Sequence, residues 1–479
     1  MSRPEYNMVE IARRVLRENG FEPDMPQGIE RSIPAKDPIE NAVDLRALDW
    51  SSIDNDDSRD LDQIEWAELL PNKAIRILIG IADVDALAPK GSEIDRYAGT
   101  NTTTLYTGVH IFPMLPEQLS TDRTSLLDDR DRLAMVTEFV VAEDGSLDDT
   151  KTKIYPAHVR NKAKLVYELI GAWLEGHGEA PAGNAIASQV ALHDQAAQRL
   201  RRRRHEHGAL DFETIEARPV TKDGRVVDLI VVQKNRAREI VEDLMIAANG
   251  ATARFLEQRG FSSIRRIVRR PKRWDRIIEL AATFGFKLPA EPTATALSDF
   301  LTARRTAAPD KFADLSLSVV KLIGPGEYVL QRANEPDTGH FGLAVDDYAH
   351  STAPNRRYPD LITQRLLKAC ASGGKSPYSD EELMAIAQHC TDRENGARKV
   401  ERTMRKVAAA LLLHDRIGEV FDGIVTGATA SGVFVRLFNT PTAEGRVVKG
   451  EQGLDVGDKV KVRLVDTEPN RGFIDFVRV

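Results

Sequence analysis

The stretch Ile53-Asp54-Asn55-Asp56-Asp57-Ser58-Arg59-Asp60-Leu61-Asp62-Gln63 constrains the fold more than any other part of the chain. Five carboxylates fall within nine residues, with one arginine among them. The flanking segments, 43–48 and 64–69, read as strands. Two strands that meet at such a loop press like charges together. At about 4 Å and an effective dielectric near 20, each pair repels by about 4 kcal/mol. The stretch is therefore either a solvated acidic turn or a cluster that wants a cation. Oxygen ligands select a hard one, Mg²⁺ first and Mn²⁺ second.

A chain of 479 residues is too long for one ordinary domain, and roughly two to four are expected. Its 42% hydrophobic and 29% charged residues describe a soluble globular protein. No apolar run approaches the roughly 18–20 residues of a membrane span. The opening residues lack the apolar core of a signal peptide. Two cysteines, Cys370 and Cys390, argue against a disulfide framework and for a reducing, cytoplasmic setting. No Cys/His array has zinc spacing. The net charge of −7 does not announce a nucleic-acid binder. Basic runs at 199–204, 265–270 and Arg356-Arg357 are nevertheless separated from the acidic stretch. Such separation suits a basic channel ending at an acidic, metal-loaded site.

In chain order, periodicity predicts a helix over 5–19 that stops at Gly20, and a shorter element over 27–33. Pro34 and Pro38 mark a boundary. The first 40 residues read as a small helical module, with a helix-turn-helix-like unit as the other reading. From 40 to 155 the pattern is strand-rich: a buried strand over 74–84, a short helix over 92–98, a loop over 105–116 and a strand over 132–141. Helices then dominate, over 161–175, 185–204, 235–259, 271–284, 297–305, 358–371 and 381–413. A strand pair over 213–220 and 226–232 interrupts them. The last 60 or so residues carry short alternating segments at 418–427, 431–437, 457–464 and 472–476 with glycine turns, the pattern of a small β-barrel.

Several separate blocks follow the acidic stretch in order. They are Ile81-Ala82-Asp83-Val84, Pro113-Met114-Leu115-Pro116-Glu117-Gln118-Leu119-Ser120, Ile240-Val241-Glu242-Asp243-Leu244-Met245-Ile246-Ala247-Ala248-Asn249, His340-Phe341-Gly342-Leu343-Ala344, and Tyr348-Ala349-His350-Ser351-Thr352-Ala353-Pro354-Asn355-Arg356-Arg357-Tyr358-Pro359-Asp360. Together they resemble the ribonuclease II (RNB) family of 3′-to-5′ exoribonucleases, over about residues 41–479. The resemblance implies an α+β fold with a mixed RNB-type catalytic domain over 41–414, strand-rich in its first half and helical in its second. It implies an OB-type RNA-binding barrel over 415–479. The module over 1–40 stands where the family usually has a pair of cold-shock-type barrels. A second departure is Gln63, which occupies a position where the family has a metal-holding aspartate.

The resemblance implies roles residue by residue. Asp54, Asp60, Asp62 and Gln63 fall at the metal-holding positions, and Gln63 can offer only a neutral carbonyl oxygen. Either one metal position is weakened, or Asp56 or Asp57 compensates. A divalent cation supplies a nucleophile at neutral pH and neutralises the phosphate. Asp62 and Arg356 are the expected catalytic residues, the guanidinium stabilising charge on the phosphate. Arg357 is expected beside the RNA in a supporting role. Tyr106 and Phe212 fall where the family stacks terminal bases, and stacking tolerates any base. Tyr167 and Glu242 resemble the pair that reads the ribose 2′-hydroxyl, the group that separates RNA from DNA. Phe421 and Phe434 are expected on one binding face of the barrel. Arg201–Arg204 read as a solvated helix end, and His340 as structural.

The expected protein is a processive hydrolytic exoribonuclease that takes single-stranded RNA to nucleoside 5′-monophosphates with Mg²⁺. A monomer with no membrane association and no obligate protein partner is expected. Gln63 motivates an alternative, an RNA-binding regulator with weakened or lost catalysis. A third reading is a nuclease that tolerates DNA.

Overall fold

A computed structural model describes residues 6–35, 42–181, 183–213, 216–222, 225–232, 234–336, 338–429, 432–438 and 443–479. The first helix, α1 (Met8–Glu18), is capped by the Asn7 side chain on the Val9 and Glu10 amides. Its apolar positions Met8, Ile11, Ala12, Val15 and Leu16 form one buried stripe, as helical spacing predicts. It is the only α-helix among the described residues before the first sheet; a single 3₁₀ turn over Ile29–Ser32 follows it.

Strands β1 (Val43–Asp44), β2 (Trp50–Asp54), β3 (Gln63–Leu69) and β4 (Ile75–Ala82) come next. After α2 (Glu93–Asn101), the short hairpin β5 (Leu105–Tyr106) and β6 (Ile111–Phe112) leads to β7 (Asp131–Val141) and β8 (Lys153–Val166). These build a sheet of order β1-β8-β2-β3-β4-β7, in which β7 also pairs with β8 so that the sheet turns back on itself. The continuous apolar run of β4 needs cover on both faces. Leu78 and Ala82 enter a core with Trp50 and Ile64, while Ile75, Ile77, Ile79 and Ile81 enter a second core on the other side.

The sequence pattern reads as helix over 161–175, but the chain stays extended to Val166 and turns into α3 (Tyr167–Leu174) only there. Asn161 to Val166 pair in parallel with Trp50 to Asp54. That ladder outweighs a local helical pattern, because strand formation is decided by neighbours. The register sets Asp54 directly against Val166, next to the first residue of α3.

Helix α4 (Asn184–Glu206), hairpin β9 (Glu216–Lys222) and β10 (Arg225–Val232), and α5 (Arg236–Glu257) follow. The apolar faces of α4 and α5 cover the second core. At the end of α4, Arg201 and Arg204 are not solvated: they pair with Asp211, Glu239 and Asp243. Strand β11 (Ser263–Ile267), helices α6 (Trp274–Thr283), α7 (Ala294–Ala307) and α8 (Phe312–Ile323), and strand β12 (Glu327–Gln331) come next. β11 escapes a hydropathy reading because Arg265 and Arg266 are buried in it, paired with Glu257 and Glu394 respectively. Helix α9 (Tyr358–Ala371) packs on the first core. Helix α10 (Asp380–His414) starts at a Ser379–Glu382 capping box and carries α1 on its side.

The chain ends in a closed barrel of β13 (Val420–Thr429), β14 (Gly432–Leu437), β15 (Glu444–Lys449), β16 (Lys459–Glu468) and β17 (Phe473–Arg478). Phe421 points inward, buried among Val435, Val462 and Phe476. Phe434 alternates outward and is half-exposed. The two phenylalanines therefore share no face, which corrects the expected pairing; strand alternation alone enforces the difference. No described helix is long and apolar enough to cross a membrane.

Candidate active site

The acidic stretch leaves the sheet at the end of β2 and re-enters it at the start of β3. Its backbone is held from three sides. Lys164 of β8 donates to the Asp56 and Ser58 carbonyls at 2.6 and 2.8 Å. Ser125 donates to the Arg59 carbonyl and accepts from the Leu61 amide. Arg238 of α5 reaches the Asn55 side-chain oxygen at 3.1 Å. A loop of like charges is thus clamped by neutral donors, a lysine and an arginine.

Asp62 is 1% exposed, although it precedes the strand. Its two oxygens accept the Asn355 amide at 2.9 Å and Arg356 Nε at 2.8 Å. Residues nearly three hundred positions apart so become one unit. The segment bearing Asn355 and Arg356 is itself anchored. Thr124 donates to the Asn355 side chain at 2.5 Å, the Thr104 amide to the Arg356 carbonyl, and the Tyr358 amide to the Thr102 carbonyl. Burial pushes the Asp62 carboxyl up to about 6, against the opposing pull of Arg356. The Arg356 side chain keeps 42% of its surface exposed, and only its Nε is committed to Asp62. Its other guanidinium nitrogens take no hydrogen-bond partner among the described residues.

Tyr106 lies at the same mouth. Its hydroxyl donates to Asp60 at 2.8 Å, and the residue stays 40% exposed. Burial of the hydroxyl and the Asp60 charge hold its pKa well above the usual phenol value. Asp60 thereby orients the ring. Tyr167, at the start of α3, lies on the opposite flank with Arg238 4.3 Å above its ring. Burial, followed by the charges of Asp54 and Glu65, raises its hydroxyl strongly. Glu242 is exposed one helical turn beyond Arg238 on α5, which places it on the same side.

Other expected residues stand elsewhere. Phe212 is half-buried against the small core of α6, α7 and α8, and Phe421 and Phe434 belong to the barrel. Arg357 turns away from the acids: it donates to Asp360 at 2.7 Å and props the start of α9. That ion pair, between a guanidinium and a fully buried carboxylate, is structural support.

One site residue was not singled out from the sequence. Glu65 of β3 is 1% exposed, and both its carboxyl oxygens lack a hydrogen-bond partner. Burial and then the Asp54 charge push its carboxyl up to about 8. Asp54 accepts only local bonds, from the Asn55 amide and the Ser58 hydroxyl, both at 2.7 Å. Neither acid forms an ion pair among the described residues. An inward-facing acid in a strand otherwise reading apolar was its only sequence signal.

Among the described residues, no three His, Cys, Asp or Glu side chains stand close enough to enclose an ion together. The centre instead consists of Asp62 with Arg356, Asp60 with Tyr106, and Asp54 beside Glu65. Glu65, with orphaned buried oxygens and no cation from the protein, together with Asp54, whose charge it feels, fits a divalent cation.

Comparison with known proteins shows the family to which the chain belongs. The RNB domain model matches residues 42–373, and the RNase II-type exonuclease C-terminal S1 domain model matches residues 419–479. Ribonuclease R of Escherichia coli K12 is 30% identical over 490 residues, covering 94% of this chain and 58% of the relative. Exoribonuclease 2 of Escherichia coli UTI89 is 31% identical over 430 residues, covering 88% of this chain and 65% of the relative. The apo RNase R of Mycoplasma genitalium superposes with a TM-score of 0.88 at 21% identity, covering 99% of this chain and 78% of that one. The chain thus spans about three fifths of the length of these curated relatives. With a single family model matching most of its length and a second matching its barrel, the chain belongs to the RNB family and carries an RNase II-type S1 domain at its C-terminal end.

Proposed function

We propose that this protein is a metal-dependent 3′-to-5′ exoribonuclease that hydrolyses single-stranded RNA to nucleoside 5′-monophosphates. The observation that carries the reading is the Asp62–Arg356 pair. A fully buried carboxylate fixes one nitrogen of a guanidinium whose remaining donors face an acidic mouth. That is a preorganised donor for the charge that builds on a phosphoryl group in the transition state. A Mg²⁺ or Mn²⁺ bound by the acids would supply a nucleophile at neutral pH and neutralise the phosphate. The residues that would hold it, by the family resemblance, are Asp54, Asp60, Asp62 and Gln63.

The protein's own residues do the rest. Tyr106, its hydroxyl tied to Asp60, offers its exposed ring for stacking on a terminal base. The resemblance names Phe212 as the second ring of that clamp, although it packs against the core of α6, α7 and α8. Tyr167 and Glu242 are the candidates to read a 2′-hydroxyl. On the barrel, Lys459, Lys461 and Arg463 alternate outward along β16, and half-exposed Phe434 lies on the outer surface of β14. Aromatic and basic groups together suit single-stranded RNA. The relatives are named ribonuclease R and exoribonuclease 2, and one RNase R of the same fold was solved with double-stranded RNA.

The test uses the whole chain with 3′- and 5′-labelled RNA and DNA oligonucleotides in Mg²⁺, Mn²⁺ or EDTA. Mononucleotides released stepwise from the RNA 3′ end, only with metal, are expected. RNA binding without any product under either metal would replace this reading with the regulator; equal cleavage of DNA would replace its RNA specificity.

A further inference from the structure

Gln63 and Glu65 sit two residues apart in β3, so their side chains leave the same face of the strand, about 7 Å apart along it. Gln63 is buried at the rim of the acidic mouth and contributes no charge. Glu65 lies one pleat deeper, paired in register with Ser51 of β2 and Ile79 of β4. Around it the core is apolar: Ile53, Ala67, Ile79 and Ile81 share its face. A carboxylate in such a place normally meets an arginine, a lysine or a set of amides. Glu65 meets none, and Ser51, directly across the ladder, also has an unpartnered buried hydroxyl. The charge it does feel is that of Asp54, a repulsive neighbour. Asp62, only three residues away, shows that this protein can provide a guanidinium and an amide for a buried acid.

Unpartnered Glu65, the unpartnered Ser51 hydroxyl across the ladder, Gln63 on the same face of the strand and the Asp54 charge that Glu65 feels form an incomplete hard-oxygen set. Mg²⁺ and Mn²⁺ take one or two protein carboxylates with neutral oxygens and water. We propose that Glu65 is, with Asp54, a ligand of the divalent cation at this centre, supplying from inside the sheet the negative charge that Gln63 does not provide at its rim. This rests on the metal-dependent reading above. It adds a ligand that lies outside the acidic stretch and makes the Gln63 position compatible with a loaded site.

The experiment is Mn²⁺ titration of the full chain by calorimetry, without RNA, paired with thermal melts with and without Mn²⁺. Glu65→Gln is expected to weaken Mn²⁺ binding on the order of tenfold or more. It should also raise the metal-free Tm by about 2 °C, because an unpartnered buried acid is removed, while the Mn²⁺-dependent rise in Tm shrinks. The double substitution Gln63→Asp with Glu65→Gln returns the charge to the rim and should recover affinity to within a few-fold of the starting protein. This recovery separates a ligand from a folding role. Wild-type affinity in Glu65→Gln would overturn the inference and leave the hydrolytic reading standing. Mn²⁺ binding through Glu65 in a protein that degrades no RNA would do the reverse, supporting the ligand and sinking the activity.

Discussion

Asp62 and Glu65 are three residues apart and equally buried, each 1% exposed, yet their surroundings are opposite. Asp62 is fully engaged, by an amide and a guanidinium delivered from a segment far along the chain. Glu65 is engaged by nothing, and its nearest charged neighbour is another acid. A buried carboxylate with its partners in place is finished machinery, ready to hold an arginine toward a substrate. A buried carboxylate without partners is stable only at a cost of several kcal/mol, which a bound cation removes. Positions three residues apart thus hold one acid that the protein matches and one that it leaves unmatched.

The largest effect should come from breaking the matched acid. Asp62→Asn is expected to lower kcat on the order of 10³-fold or more, while RNA affinity changes less than about threefold. Single-turnover rates and a filter-binding isotherm measure both; surviving turnover would mean that the Arg356 link is not needed. Removing its partner comes next. Arg356→Ala should cost about 10²- to 10³-fold in kcat, and Arg356→Lys should recover little, because a lysine cannot keep one donor on Asp62 while offering others in a fixed plane.

Residues at the mouth should act on binding more than on chemistry. Tyr106→Ala is expected to weaken binding of short RNA by about 1–3 kcal/mol, whereas Tyr106→Phe should keep most of the stacking and lose only the Asp60 tether. Equal losses in both would show that the hydroxyl matters more than the ring. Glu242→Ala should narrow the RNA-over-DNA rate ratio by about a few-fold, and an unchanged ratio would remove Glu242 from 2′-hydroxyl reading.

The smallest effect concerns a buried titrating group remote from the acids. His193 of α4 is fully buried with neither ring nitrogen partnered, and burial lowers its pKa from 6.5 to about 3. The folded state therefore holds it neutral. Its contribution is intact above about pH 6.5 and is lost as pH falls toward 3, at up to about 1.4 kcal/mol per pH unit. Melting curves from pH 7 to pH 5 should fall less steeply in His193→Leu than in the starting protein.

Several features were legible before any coordinates. The apolar run of β4 demanded a doubly covered strand, the stripe of α1 demanded a helix, and the glycine-punctuated tail demanded a barrel. The acidic stretch was legible from its own residues as a turn that could hold a cation, whereas Tyr106 and Arg356 were named only through the resemblance to the RNB family. What escaped was whatever neighbours decide. Residues 161–166 carry a helical pattern but complete a parallel ladder with β2. β11 hides behind two arginines whose carboxylates come from helices on either side of it, Glu257 of α5 and the remote Glu394 of α10. Phe421 and Phe434 look alike in sequence and differ only because strand alternation sends one into the barrel and the other out.

The sequence by itself determined the inventory: which acids cluster, where Gln63 interrupts them, and which motifs accompany them. Those are properties of residue type and spacing. Only the tertiary structure decided the partners. It brought Arg356 onto Asp62, turned Arg357 away to Asp360, and closed the sheet over Glu65 without giving it a counter-charge. Partnership depends on burial and on contacts between remote segments. A carboxylate's meaning changes with whether a cation reaches it, and that is settled in space.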